Sequence, residues 1–257
     1  MTVLPKGVIE ERYIRRNSTE PYELSISKGL VAGHTGINKF GYREVTSHAT
    51  NYYTISSAGA NYVFPTAATT AAVSSSNTGE DNGGTVVVEG LDANWEEIKE
   101  TITIGQTGSE SFYRVNRAYM LEAGSGNDIN EGNITVTVNA KTVAYIPSGY
   151  GQTMQAVYSV SAGSNAYILQ IDVGVDEKEK PVHARIQTSD RTLTNPSWRT
   201  RAFVVMESNF IQHKPSVPIK VTEKTDIVLE GNSSAGTIEV SGGFDIIESN
   251  GFDAGYN

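Results

Sequence analysis

Four histidines, 29 carboxylates and no cysteine are the raw material for chemistry in this 257-residue chain. His34, His48, His183 and His213 are scattered, and none falls in an HExxH pair or another metal-ligand spacing. Without cysteine there is no disulfide, thiolate nucleophile or thiolate metal site. No serine sits in a G-x-S-x-G elbow. GYGQT at 149–153 lacks the lysine and the length of a phosphate loop and reads as a turn between strands. The residues therefore nominate no catalytic group, no cofactor and no metal.

Two acidic loops and two local patches complete the inventory. Asp128-Ile-Asn-Glu-Gly132 spaces its oxygens like a calcium loop but lacks the distal glutamate. Glu80-Asp-Asn-Gly83 is a shorter version. Asn, Asp and Gly also tolerate left-handed backbone, and that plain turn reading leads for both. Glu96 and Glu97 are assigned to a solvent face. Arg12, Arg15 and Arg16 are a charge anomaly in an acidic chain and a candidate protein-docking patch. The plainer alternative is a solvated arm that pairs them with Glu10, Glu11 and Glu20. Trp95 and Trp198 suit a sugar platform if exposed, and a sandwich core if not.

The elements that would position such residues are strands. TVVVEG, NITVTV, KTVAYI, NAYILQIDVGV, RAFVVME, PIKV, TDIVLE and TIEV are short, rich in β-branched and aromatic residues, and bounded by Gly, Ser, Asn and Asp. No long stretch repeats apolar residues at helical spacing. Residues 1–45 mix charge, proline and glycine without alternation and read as an extended N-terminal arm, with a helical turn near EERYIRR as an option. Residues 46–257 read as one β-sandwich body. Within it YYTI and YVF flank SSAGAN as a hairpin, and the Thr/Ala/Ser stretch at 66–84 is a linker or a strand centred on Val73, with the strand preferred. WEEIKETITI is taken as strand, and Phe112 and Val115 out of phase imply a bulge in SFYRVNRAYML.

Composition limits the partners. Hydrophobic residues make up 38% and the formal net charge is −9, which argues against nucleic acid or an anionic membrane as main partner. MTVLPKGVIEERYIRR has no apolar core of signal-peptide length, and no run reaches the roughly 20 apolar residues of a membrane helix. The balance fits a chain that docks on other proteins.

The ordered series NKFGYREV, AVSSSNTGE, GLDANWEEIKETITI, SFYRVNRAYMLEAGSG, GNITVTV, VAYIPSGYGQTMQAVYSV and PIKVTEKTDIVLE resembles a family of virion structural proteins of tailed bacteriophages, marine and cyanobacterial ones among them. The resemblance spans about 36–248, and its motifs place turns and strands. It implies an all-β, jelly-roll-like antiparallel sandwich, no catalytic residues, and a place in the virion. The implied role is capsid decoration or cement, docking on other virion proteins. A neck or tail accessory, or a receptor- or glycan-binding appendage, is the alternative. Many short strands whose edges need protection imply a symmetric homo-oligomer, with three-fold the preferred arrangement. The arm is the expected docking element. Deleting residues 1–35 should leave the sandwich folded and reduce incorporation into particles, measured by thermal unfolding and by particle composition. Unfolding of the truncated protein would place the arm in the core.

Overall fold

The computed structural model describes residues 20–47, 51–125, 128–176, 181–206 and 209–250. One short helix, α1 (Tyr22–Ser27), precedes the strands. Pro21 stands before its first turn, and Gly29 at φ +69° ends it. The strands fall into two groups. One comprises β1 (His34–Thr46), β2 (Tyr53–Thr54), β10 (Val157–Ser159), β11 (Ser164–Val175), β12 (Val182–Asp190), β13 (Arg199–Met206), β14 (Phe210–His213), β15 (Ile219–Val221), β16 (Thr225–Ser233) and β17 (Thr237–Asn250). The other comprises β3 (Thr69–Ser75), β4 (Thr85–Leu91), β5 (Glu97–Thr103), β6 (Thr107–Phe112), β7 (Arg114–Glu122), β8 (Ile134–Val138) and β9 (Lys141–Ile146).

The first group is an antiparallel sandwich of two sheets, ordered β1-β17-β11-β14 and β10-β16-β12-β13, with β15 added on β11 and β2 on β16. If its eight main strands are counted in chain order, the sheets read one-eight-three-six and two-seven-four-five. That is jelly-roll topology, in which successive strands alternate between facing sheets apart from four and five, which pair with each other. The sequence pattern drives the packing. Ile238, Val240, Phe244 and Ile246 alternate inward along β17 and join Ile186, Ile227 and Leu229 in one core. In β11 the phase changes from Ala166 and Ile168 to Ile171 and Val173, because Leu169 is the extra residue of a bulge against β17.

The second group forms its own core, with Val86, Val88, Phe112, Ile134, Val136 and Ile146 between the sheets β6-β3-β8-β9 and β5-β4-β7. It is inserted between β2 and β10, the first sandwich's β1 having already been laid down. The expected body over 46–257 thus holds two hydrophobic cores. Ser56 and Gln155, on the outgoing and returning segments, bridge each other. These segments cross β1 at Gly41, where a Cβ would stand 2.5 Å from the Ile55 carbonyl oxygen, so no side chain fits there.

Two local expectations are corrected. Within the expected arm over 1–45, His34–Thr46 pairs residue for residue with β17, Val45 is in the core and Ile26 of α1 is buried. A truncation at residue 35 would therefore cut into the fold. The YYTI/YVF hairpin is absent. Tyr53 and Thr54 pair with β16 instead. Tyr52 lies under the Arg185 guanidinium, 3.8 Å from it, and Tyr53 lies 4.9 Å under that of Arg43. Arg43 also holds the following loop through Asn61 and the Gly59 carbonyl. Around Val73 the chain is β3, residues 97–103 are β5, and the bulge in β7 falls at Asn116.

The two lobes meet at a buried ion pair. Arg114 of β7 donates through Nε and Nη2 to the two carboxylate oxygens of Asp226 of β16, at 2.8 and 3.1 Å, and both side chains are essentially inaccessible. Arg114 also donates to the Pro65 and Tyr113 carbonyls, and its guanidinium lies 4.1 Å from the Tyr113 ring centre, 4.8 Å from Trp95 and 5.1 Å from Phe64. Asp226 receives further bonds from Ser159 Oγ and Arg191 Nε, both at 2.6 Å. Burial would pull the Arg114 pKa down, but the bonds and charge of Asp226 more than offset this and hold it above the ordinary range. Removing one partner strands the other's buried charge. Asp226→Ala should cost about 3–5 kcal/mol by denaturant unfolding. The paired change Arg114→Met with Asp226→Leu should recover much of that loss. A loss under about 1 kcal/mol for Asp226→Ala would show that the junction does not hold the lobes.

Candidate functional site

A cleft of about 780 Å³ opens between the lobes, beside the ion pair. One wall is the Thr35–Phe40 stretch of β1. The other carries Glu89 of β4 and Glu97, Ile98 and Lys99 of β5. Asn116, Thr153, Gln155 and Tyr158 line it as well. The volume suits a small molecule or a short stretch of polymer.

The bulge at Asn116 explains the seam along this cleft. An extra residue in β7 aims the Asn116 amide at the other lobe, where it receives the Ser159 N–H at 2.8 Å and donates to the Ser159 carbonyl at 3.0 Å. The side chain thus imitates one rung of a strand ladder between β7 and β10. Its own carbonyl accepts the Nζ of Lys39, a buried residue of β1. Burial, and then the charge of Arg117, lower the Lys39 pKa to about 7 against the partial opposition of Glu89.

The remaining ionic groups are tied to one another. Lys99 donates to Glu89 at 2.8 Å and to the Tyr119 hydroxyl at 2.9 Å, and its pKa is raised chiefly by the Glu89 bond. Arg117 lies 4.8 Å over the Tyr119 ring and donates to Gln152 at 2.9 Å. Buried Glu248 of β17 accepts from the Tyr158 hydroxyl and from Ser161. Burial, and then Glu248, push the Tyr158 phenol well above its usual range. Burial, and then the charges of Glu248 and Glu89, push Glu97 up. The site therefore offers both signs of charge with amide and hydroxyl groups between them, a surface that suits a polar, hydroxyl-rich ligand more than a simple anion or cation.

The residues singled out from sequence lie elsewhere. Arg12, Arg15 and Arg16 are outside the described residues, as is His48. The two acidic loops close on each other. Buried Asp81 receives the Glu131 and Gly132 N–H groups at 2.8 and 2.9 Å. Asn130 donates to the Gly132 and Pro147 carbonyls. Among the described residues no group of three or more His, Asp or Glu could hold a metal ion. Trp95 is buried at the junction with φ +69°, while Trp198 is 41% exposed and 5.7 Å from Phe64. Glu96 and Glu97 are both exposed, and Glu97 also lines the cleft. Lys39, Arg114 and Asp226 were missed. Their signal was phase: Arg114 alternates with buried Phe112, and Lys39 with Ile37.

Protonation of Lys39 ties stability to pH. The unfolded side chain titrates near its ordinary 10.5 and the folded one near 7. Between those values the unfolded chain binds the extra proton, so stability rises with pH, by at most about 1.4 kcal/mol per unit. Below about 7 both forms are charged and the full burial cost is present. The melting temperature should climb between pH 7 and 9, and Lys39→Met should flatten that climb. Equal slopes for the two proteins would show that Lys39 is not the group responsible.

Comparison with known proteins adds little. No family model matches the chain, and no curated protein matches it. Among solved structures it is similar to a chain described as "Structure of infectious bursal disease virus Gt strain". The identity is 12% and the TM-score 0.22, over 90% of this chain and 78% of that one. A likeness at that score carries no weight for fold or role.

Proposed function

We propose that this protein is a non-enzymatic structural component of a tailed-bacteriophage particle, a capsid decoration or cement protein that docks on other virion proteins. The observation that carries the reading is the architecture. A jelly roll holds a second complete sandwich between its first two strands, and the buried Arg114–Asp226 pair fixes the two as one block. Double-sheet jelly rolls serve in viral capsids and in lectins, so fold-level analogy supports a surface-docking or glycan-binding role over catalysis. The resemblance of the ordered motifs to those of phage virion proteins supports the former.

Docking of such a block stabilises an assembly by mass action on the bound state. The inter-lobe cleft, with Asn116, Gln155 and Tyr158 among its lining, favours a second reading, a glycan-binding appendage on the same particle.

Mass spectrometry of gradient-purified particles should find the chain at a copy number comparable to that of the major capsid protein. A few copies per particle would place it at the neck or tail. Absence from particles, with abundant protein in the lysate, would overturn the virion role. Hydrolysis of a host polysaccharide that disappears in Glu97→Gln would overturn the non-enzymatic part.

A further inference from the structure

The surface of the block is polarised in charge and in apolar exposure. β13 is an outer strand of its sheet. Phe203 and Val205 alternate on its solvent side, 51% and 48% exposed, and exposed Arg201, the extra residue of a bulge against β12, and Arg199 precede them. Across the register Phe203 faces Arg185 and Val205 faces His183 of β12, and the His183 ring stands 5.8 Å from that of Phe203. Arg185 is already paired with Glu230 at 2.8 Å, and Arg201 donates to the Lys220 carbonyl, which leaves its charge uncompensated by that bond. The face is apolar at its centre and cationic at its margin. An exposed apolar outer strand is a surface that folded proteins usually cover.

The inserted lobe has the opposite character. Residues 66–153 hold eleven Asp and Glu against four Lys and Arg. Exposed Glu122, Asp128 and Glu131 gather where its loops converge. Ser148 Oγ donates to the Glu131 carbonyl at 2.7 Å, and Ile129 flanks Gly151, whose carbonyl accepts the Met120 N–H. Exposed Leu121, Ile129 and Tyr150 lie among these carboxylates. This end is therefore apolar and anionic, the complement of the β13 face.

The inserted lobe packs on the β1 and β10 side, through Asn116 with Ser159 and Tyr150 with Tyr42. β13 is the opposite outer strand of β10's sheet, three strand spacings or roughly 14 Å away across that sheet alone. We propose that the β13 face of one copy docks on the acidic end of the inserted lobe of another copy of this chain. The contact is heterologous, so repeated copies close into a ring or run on as a filament according to the rotation between neighbours. Charge steers the encounter and selects the register, while burial of Phe203 and Val205 against Leu121 and Ile129 sets how long it lasts. The inference rests on surface chemistry and is independent of the virion role.

Complementation between two variants tests it. Phe203→Asp with Val205→Asp disables the face, and Glu122→Arg with Glu131→Arg disables the acidic end. Sedimentation of the full wild-type chain should show concentration-dependent association that weakens as salt is raised. Each variant alone should lose association about tenfold or more. An equimolar mixture should form a discrete dimer, because each variant retains the surface the other lacks. If the face variant does not fold by circular dichroism, Arg199→Glu with Arg201→Glu replaces it. A wild-type chain that stays monomeric at every soluble concentration overturns the proposal and leaves the face to a different virion protein. Association that survives in either variant, or a mixture that fails to dimerise, overturns it as well.

Discussion

The buried carboxylate of Asp226 is the constraint on which the two-lobe shape depends. It accepts from Arg114, Arg191 and Ser159 at once, so the cost of taking a charge out of water is offset by bonds to nearly every lone pair. Because Arg114 belongs to the inserted lobe and Asp226 to the jelly roll, separating the lobes would strip the Arg114 guanidinium of its carboxylate and leave Asp226 to Arg191 and Ser159. An apolar contact of the same area could slide. A bidentate arginine enclosed by Tyr113, Trp95 and Phe64 has one register. Trp95 pays toward this with a left-handed backbone at φ +69°.

The polar seam beside the pair follows from the same geometry. Once the lobes are locked, the extra residue at Asn116 lies opposite Ser159, and Lys39 is left under the closed interface with a backbone carbonyl as its described acceptor. The lysine's low pKa is a consequence of that enclosure, since burial is its largest cause. The cleft is what remains where β1 diverges from β4 and β5, and its mixed charges are largely spent on one another. The seam serves first to hold the lobes, and any ligand recognition is built on top of it.

Charge is segregated along the molecule in the same way. The inserted lobe carries a large share of the acidic excess, and the far outer strand of the jelly roll carries arginines around exposed Phe203 and Val205. A rigid junction keeps these surfaces at a fixed mutual orientation, which a flexible linker would not. Shape and surface polarity are thus coupled through one buried pair.

Alternation of β-branched and aromatic residues with turn formers determined the all-β class, the strands β4, β5 and β8, and the bulge in β7, because these depend on neighbours two residues apart. Pairing partners were not legible. His34–Thr46 looked irregular because Lys39 and Gly41 take inward positions while Phe40 faces outward, and only β17, some two hundred residues later, makes it a strand. The division into two cores was hidden as well, since both lobes share one strand vocabulary and the chain leaves the first and returns to it. Arg114 and Asp226 read as ordinary charges until the fold brought residues 112 positions apart into contact. Charge pairing and lobe boundaries are long-range properties, and tertiary structure alone decides them.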